Sequence, residues 1–390
     1  MNRSENNARA IRSGRAGRYV RQTRGYSAFI PEPLPPADLD LSGAVTAALS
    51  RADLALGRLD GAVETLPHPE LFTAMYVRRE AVLSSQIEGT QASLDDLVAA
   101  EARLRGERPL GDVNEVINYT AALKFGISRL AKLPLSGRLM REIHEILMSG
   151  VRGAHATPGV FRTTQNWIGA SGAGLSDAVF VPPPPELVAE QIGQLETFLH
   201  RATDLPLLVQ VGLAHAQFET IHPFVDGNGR LGRLLITFLL CERSVLSKPV
   251  LYVSLTLKKR RQEYYDRLQA VRDRGAWEEW LVFFLDCVAD AALDAAGMAK
   301  RILILREGHR DLVVNELGAR AGKAIRLLER LYRDPYVEVN DAAAMLSVSY
   351  ANANTIIGAM DELGILREAT GHARNRIFVY EDYIALFRDL

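Results

Sequence analysis

Residues 222–233, HPFVDGNGRLGR, gather groups that handle phosphate. Gly227, Gly229 and Gly232 carry no Cβ to keep an anion away from main-chain N–H groups. The apolar run LLITFLLC follows and reads as a helix, so its free first-turn N–H groups and positive dipole end face the same place. Arg230 and Arg233 add charged donors that can bind bidentately. Asp226 is the one acid in this nest, and a lone carboxylate among phosphate ligands suits Mg2+. His222 stands at the entrance, where an imidazole can take a proton near neutral pH. A polyphosphate cradle, a metal handle and a base together describe phosphoryl or nucleotidyl transfer. The stretch lacks the Lys-Ser/Thr pair of a Walker loop, and the chain has no HExxH. His215 and His222 lie seven apart, but Phe218 and Glu219 between them fit helix packing better than a zinc site.

These residues need elements to position them. From Asp40 onward the apolar residues recur with helical period. One helix is expected over 71–88, after the PHP at 67–69 and stopping at Gly89. Ser93 and Asp96 form a capping-box-like start to a helix reaching about residue 105. Further helices are expected over 111–132, 136–150, 186–200, 205–219, 229–241, 257–274 and 277–300. Residues 159–185 instead suggest a β-hairpin with a loose Gly/Ser/Ala tip, NWIG pairing with AVFV, closed by four prolines. FIPEPLPP at 29–36 reads as an extended strap. After about residue 334 the pattern is a short helix capped by Asn340, a turn at SVS, a helix over 350–363, and two strands, ILREA and RIFVY. That is the winged-helix order. No βαβ alternation supports a doubly wound nucleotide fold. The expected class is mainly α.

Composition sets the frame. The chain has 390 residues, 48% hydrophobic and 24% charged, with 46 basic and 47 acidic side chains. That is an ordinary globular composition, and a net charge of −1 argues against a general polyanion binder. One asymmetry exists: residues 1–25 hold seven arginines and one acid, a charge of +6, leaving −7 for the remainder. They read as a flexible basic arm. Cys241 and Cys287 lack disulfide or zinc spacing and read as core residues. No run approaches the roughly 18 apolar residues of a spanning helix, and the Arg-rich start lacks a signal's apolar segment. A cytoplasmic protein without a membrane partner is expected.

The motif resembles the Fic family signature HxFx(D/E)GNGRxxR at every specified position, and the strap, the hairpin and the winged helix resemble a bacterial class of that family over residues 26–390. The resemblance implies a helical Fic core with a β-hairpin flap, plus a C-terminal winged helix, and a protein adenylyltransferase that moves AMP from ATP to a protein hydroxyl. It implies five parts: an arm (1–25), an N-terminal helical region (26–105), a catalytic core (106–300), a helical connector (301–333) and the winged helix (334–390). His222 would be the base and Asp226 would hold Mg2+. Asn228 and the Gly227–Gly229 amides would stabilise the α-phosphate. Arg230 and Arg233 would hold the β- and γ-phosphates, with Leu231 and Gly232 in the same binding stretch and Phe224 packed beneath it. The flap at 166–181 would pair with a target strand. Tyr264 and Tyr265 are the candidates for the adenine pocket, and Tyr265 is the preferred one. The pattern (S/T)xxxE(G/N) is matched by Ser84, Glu88 and Gly89, which implies an inhibitory helix whose Glu88 holds Arg233 away from ATP. A carboxylate at that helix end faces the negative end of the dipole and calls for such a cation. Implied partners are a hydroxyl-bearing target protein and a second copy of the chain, with self-modification.

Other readings stay open. The winged helix could make this a DNA-binding or adaptor protein, although 350–363 has no Lys or Arg and only Arg367, Arg374 and Arg376 flank the wing. The same scaffold could transfer phosphate or phosphocholine, or remove AMP with Glu88 positioning a water.

Overall fold

The computed structural model describes residues 14–23, 25–64, 66, 69–103, 111–151, 157–169, 174–246, 248–371 and 375–388. The basic arm expected through residue 25 is a hairpin from residue 14 onward. Strand β1 (Gly17–Arg21) pairs antiparallel with β2 (Ser27–Pro31), Tyr19 opposite Phe29. Its arginines are not all solvated: Arg15 donates to both Glu278 oxygens (2.8 and 3.0 Å), and Tyr19 packs edge-on against the buried Phe29. Arg3, Arg9, Arg12 and Arg24 lie outside the described residues. The strap that follows is tied down, since Phe29 N–H donates to the Val181 carbonyl and Gln217 to the Glu32 carbonyl, both at 2.9 Å.

Helix α1 (Ala44–Glu64) buries Ala48, Ala52, Ala55 and Leu59 along the long helix α11, where Ala291, Ala292, Ala295 and Ala299 let the two axes approach. Next come α2 (Pro69–Ile87), α3 (Leu94–Arg103), α4 (Gly111–Leu130) and α5 (Gly137–Leu147). The Ser93–Asp96 box closes as expected: the Ser93 hydroxyl accepts from Asp96 N–H, and the Asp96 carboxylate accepts from Ser93 N–H. Of the flap, residues 166–169 and 174–181 are described, with one antiparallel bridge, Ile168 with Phe180, and a 3-10 turn at Leu175–Asp177; its tip at 170–173 lies outside the described residues. Then follow α6 (Val188–His200), α7 (Leu207–Ile221), α8 (Asn228–Glu242), α9 (Ser254–Lys259), α10 (Arg261–Arg274) and α11 (Trp277–Glu316). The single helix expected over 257–274 is thus broken at Arg260. The helix expected to stop at 300 runs 40 residues, about 60 Å. Nothing in that stretch forces a stop, and Ile302, Arg306 and Val313 keep its buried face going. A boundary between core and connector at residue 300 therefore falls inside one continuous helix.

The tail contains α12 (Ala321–Leu331), β3 (Tyr336–Glu338), α13 (Val339–Leu346), α14 (Tyr350–Glu362), β4 (Arg367–Glu368), β5 (Ile377–Val379) and α15 (Glu381–Arg388). The sheet order β3-β5-β4 with α13 and α14 is a winged helix, and α12 packs against both helices as its first. Asn340 is inside α13 and Glu338 holds the cap position; β3 and α15 were not expected. Helix α15 returns to pack on α2 and α11, with Arg388 on Asp95 at 2.7 Å. The solvent face of α14 shows Tyr350, Asn352, Thr355, Asp361 and Glu362. Among the described residues, no helix is long and apolar enough to cross a membrane.

Candidate active site

The loop joining α7 to α8 is held by its own residues. His222 ends α7 in the left-handed region (φ 50°, ψ 59°), its N–H on the Phe218 carbonyl at 2.9 Å. Six residues on, Asn228 accepts from Phe224 N–H and donates to the Phe224 carbonyl, both at 2.8 Å. That side chain was expected to face phosphate. It is 2% exposed, and its oxygen and one of its two amide N–H donors are used on the loop, which leaves the second N–H and the main-chain N–H. Phe224 is fully buried and stacks on His144, centroids 3.7 Å apart. The His144 Nδ1 accepts from Gly159 N–H (2.9 Å), so its Nε2 donates to the Asp226 carbonyl (3.0 Å). Burial holds that imidazole neutral, down to about 4. At Gly227 φ is +76°, and a Cβ would come within 2.7 Å of Met148 Sδ.

Helix α8 begins with no capping side chain. The N–H groups of its first turn, Asn228, Gly229 and Arg230, have no partner within the helix. Into this space reaches Glu88. Its Oε1 would lie 2.1 Å from a Cβ on Gly229, so the carboxylate rests directly over that glycine. Helix α2 ends at Ile87, one residue before the expected end, and Glu88 and Gly89 (φ +100°) form the turn after it. The Glu88 N–H turns to the Ser85 carbonyl, leaving the Ser84 carbonyl to Arg233. Arg233 donates to Glu88 Oε1 (2.8 Å), to the Ser84 carbonyl (2.9 Å) and to Ser84 Oγ (2.8 Å), with its side chain 1% exposed. It therefore satisfies an orphan carbonyl of α2 and neutralises a carboxylate at the same helix end. Burial works to raise the Glu88 carboxyl, but Arg233, with help from Arg230 and His222, holds it below its ordinary value.

The His222 ring is half-buried, and its Nδ1 has no hydrogen-bond partner. Burial, then the charges of Arg272 and Arg162, push it down to about 4, against a lift from Glu88. One turn earlier Glu219 is buried, with Oε1 unpartnered, and burial pushes its carboxyl up to about 7. Arg230 is 3% exposed and meets Glu115 (3.4 Å), Met148 Sδ (3.5 Å) and Asp226 (3.9 Å).

Two members of the expected binding stretch serve packing. Leu231 is wholly in the core. Gly232 makes room for Glu219, whose Oε1 would lie 2.3 Å from a Cβ there, while its carbonyl pairs with His215 Nδ1 at 2.9 Å. Of the two tyrosines, Tyr264 is buried and bonds its hydroxyl to His215 Nε2 (2.9 Å), whereas Tyr265 is 38% exposed and senses both Glu88 and Arg233. Asp226 keeps its carboxylate half exposed, one oxygen taking Gly227 N–H at 2.6 Å. Among the described residues no cluster of three or more His, Cys, Asp or Glu could hold a metal. A cation here would draw one ligand from the protein and the rest from phosphate and water, which suits Mg2+. Sequence reasoning missed His144, Arg162 and Arg272. His144 left one signal, its place on the buried stripe of 137–147; the two arginines left none, because charged residues are expected outside.

Known proteins match this arrangement. Residues 46–128 match the Fic/DOC family N-terminal model and residues 134–240 the Fic/DOC family model. An Aquifex aeolicus protein is 30% identical over 184 residues, 46% of this chain and 52% of its own. Protein adenylyltransferase fic-1 of Caenorhabditis briggsae is 32% identical over 166 residues, 40% of this chain and 28% of that one. The chain thus spans about half the length, or less, of the curated relatives it matches. Among solved structures, a Fic family protein from Desulfovibrio desulfuricans G20 superposes with a TM-score of 0.54 at 20% identity, covering 88% of this chain and 97% of that one. Fic-1 from C. elegans gives 0.51 at 22%, covering 67% and 74%. At such identities the likeness concerns the fold. With the motif loop, the helical scaffold and both family models in agreement, residues 46–128 and 134–240 are the N-terminal and catalytic segments of the Fic/DOC family.

Proposed function

We propose that this protein is an adenylyltransferase that moves AMP from ATP onto a hydroxyl of a protein, itself included, and that Glu88 holds it in a low-activity state. The observation that carries the reading is the seat of Glu88: a carboxylate lying on Gly229 and Arg233 at an uncapped helix N-terminus. A site that holds one anion there is built for another, and a triphosphate is the anion that the motif suits.

In the reaction the target oxygen bonds to the α-phosphorus, pyrophosphate leaves, and the hydroxyl proton passes to His222. A neutral imidazole is required, and His222 is neutral at pH 7. A value near 4 makes a weak base, but the negative phosphates would raise it towards the working range. The first-turn N–H groups of Asn228 and Gly229 face the charge that develops on phosphate. Arg233 would grip the γ-phosphate once Glu88 withdraws, and its bonds to Ser84 would keep it aimed. Arg230 would hold the β-phosphate, and Tyr265 would border the adenine. Asp226 would hold Mg2+, which neutralises phosphate charge and orients the leaving group. The flap, bridged by Ile168 and Phe180, would receive an extended segment of the target.

The test is intact-mass spectrometry of the Glu88→Gly protein after incubation with ATP and Mg2+. A gain of one adenylyl unit supports the reading. A gain of a phosphate alone, or no covalent change on the protein or on any offered protein substrate, overturns it.

A further inference from the structure

Two buried arginines at the base of the flap have no part in the chemistry above. Arg162 is 2% exposed. Its Nε donates to the His222 carbonyl (2.9 Å) and its Nη2 to the carbonyls of Ile221 (3.3 Å) and Pro183 (2.6 Å), while its own N–H goes to the Pro223 carbonyl (2.9 Å). Arg272, from α10, donates to the Glu219 carbonyl and the Thr220 hydroxyl, both at 3.2 Å, and lies over the Phe180 ring at 3.8 Å. Each therefore has one end on the last turn of α7 and the other on the returning strand of the flap. The carbonyls of Glu219, Ile221 and His222 are those a helix end leaves unpaired. Cations at that end also suit the negative pole of the dipole.

We infer that Arg162 and Arg272 form a clasp that positions His222 and the flap relative to each other for transfer. The inference rests on the reading of His222 as the base. His222 sits at a φ of +50°, which a residue with a Cβ disfavours, and Arg162 holds its carbonyl there. The same guanidinium holds the Pro183 carbonyl, so the separation of flap and imidazole is set by one rigid, planar group. The hydrogen-bond acceptors of both arginines are carbonyls and a hydroxyl; Glu219 acts on Arg272 and Glu186 on Arg162 through space, and both guanidinium charges still act on the neighbouring imidazole. The other charges acting on that ring come from Glu88 beyond α2; on its own helix Glu219 is nearby, and on the loop and α8 Asp226 and Arg230 turn towards each other. Both arginines are positioning residues, since neither is placed to touch a reacting atom.

The experiment compares Arg162→Gln, Arg272→Gln and Arg162→Lys by NMR titration of the protein labelled with 13C-histidine, the His222 signal being assigned with His222→Ala. Either glutamine variant is expected to raise the pH at which the His222 ring protonates by roughly one unit. Arg162→Lys, which keeps the charge, is expected to leave it unchanged. In a Glu88→Gly background both glutamine variants should lose at least tenfold in transfer rate, with KM for ATP within twofold. Equal titration in the Lys and Gln forms, or no movement in either Gln form, overturns the clasp. Should Arg162→Gln not fold, Arg272→Gln decides by the same criterion. If the Glu88→Gly parent transfers no AMP, the proposed function fails, and the titration still judges the clasp.

Discussion

Replacing Glu88 by glycine removes the carboxylate that, on the proposed function, would compete with a nucleotide for Arg233. The Glu88–Arg233 contact is 2.8 Å, with Arg233 1% and Glu88 35% exposed. A hydrogen bond between charged groups contributes about 1.5–3 kcal/mol, and the exposure of Glu88 lowers this to roughly 1–2 kcal/mol. At 1.4 kcal/mol per decade, productive ATP binding should gain roughly 5- to 30-fold. The carboxylate also occupies the space above Gly229, so its removal opens room for phosphate as well as freeing a charge. Incorporation of label from ATP carrying a radioactive α-phosphate should therefore rise about tenfold in Glu88→Gly. In Glu88→Gln, which keeps the bulk and loses the charge, it should rise by less. Arg233 should stay in place on Ser84, so ATP binding measured by calorimetry should strengthen. Unchanged incorporation together with unchanged ATP affinity in Glu88→Gly would refute the reasoning. The brake should also be insensitive to pH near neutrality. The Glu88 carboxyl lies below its ordinary value, so the ion pair is whole above about 4.5 and is lost only as pH falls through the folded value.

Four further outcomes follow from the same geometry. His222→Ala should abolish transfer while ATP affinity stays within severalfold of the parent; retained turnover would remove His222 as the base. Asn228→Ala deletes two buried bonds to Phe224 and should cost about 1–3 kcal/mol of stability, read as a lower denaturant midpoint, together with most activity. Tyr265→Ala should raise KM for ATP several-fold with kcat little changed, as fits a residue that binds the base of the nucleotide. His215 donates to the Gly232 carbonyl and accepts from Tyr264, and burial pushes it down to about 3. Its contribution to stability is present above about 6.5 and is lost as pH falls from there towards 3, so His215→Gln should flatten the fall of melting temperature with acid over that window.

The loop was legible because its chemistry is local. Gly227, Gly229 and Asp226 lie within a few residues of one another, and so does the helix that follows. Glu88 and Arg233 lie 145 residues apart, yet each showed itself through a local rule: a carboxylate at the wrong pole of a helix, and an arginine in an anion nest. What escaped was work done between distant elements. The resemblance gave Asn228 to the α-phosphate, whereas its side-chain oxygen and one amide N–H also brace the loop through Phe224. Gly232 was read as backbone access, and its missing Cβ instead admits Glu219 from the facing helix. The N-terminal arginines were read by their charge, whereas Ala16, Tyr19 and Phe29 between them decide that the segment is a strand. The helix expected over 277–300 runs on to Glu316, because no proline stops it and its buried face continues through Ile302, Arg306 and Val313.

How the brake is released is constrained by where α2 lies. One face of the helix presents Glu80, Ser84 and then Glu88 beyond its end. Glu80 is buried, accepts from Ser254 (2.5 Å) and Tyr119 (3.1 Å), and is pushed by burial up to about 7. The helix also carries Arg78, whose guanidinium holds Glu101 (2.6 Å) and, at the root of the winged helix, the Arg333 carbonyl (2.8 Å) and Asp334 (3.3 Å). Met75, Tyr76, Ala81, Val82 and Ile87 are all buried. Withdrawing α2 as a body would expose these side chains, at about 1.5–3 kcal/mol for each large one, and would break the Arg78 contacts as well. Swinging Glu88 out of its turn costs only its own bonds to Arg233. It lies past the last helical residue, beside a glycine at φ +100°, and is already partly exposed. The cheaper motion is local by several kcal/mol. On the proposed function, release would therefore belong to the turn at 88–89 with α2 in place, and a modification, ligand or partner that relieved inhibition would have only to draw one side chain off Arg233.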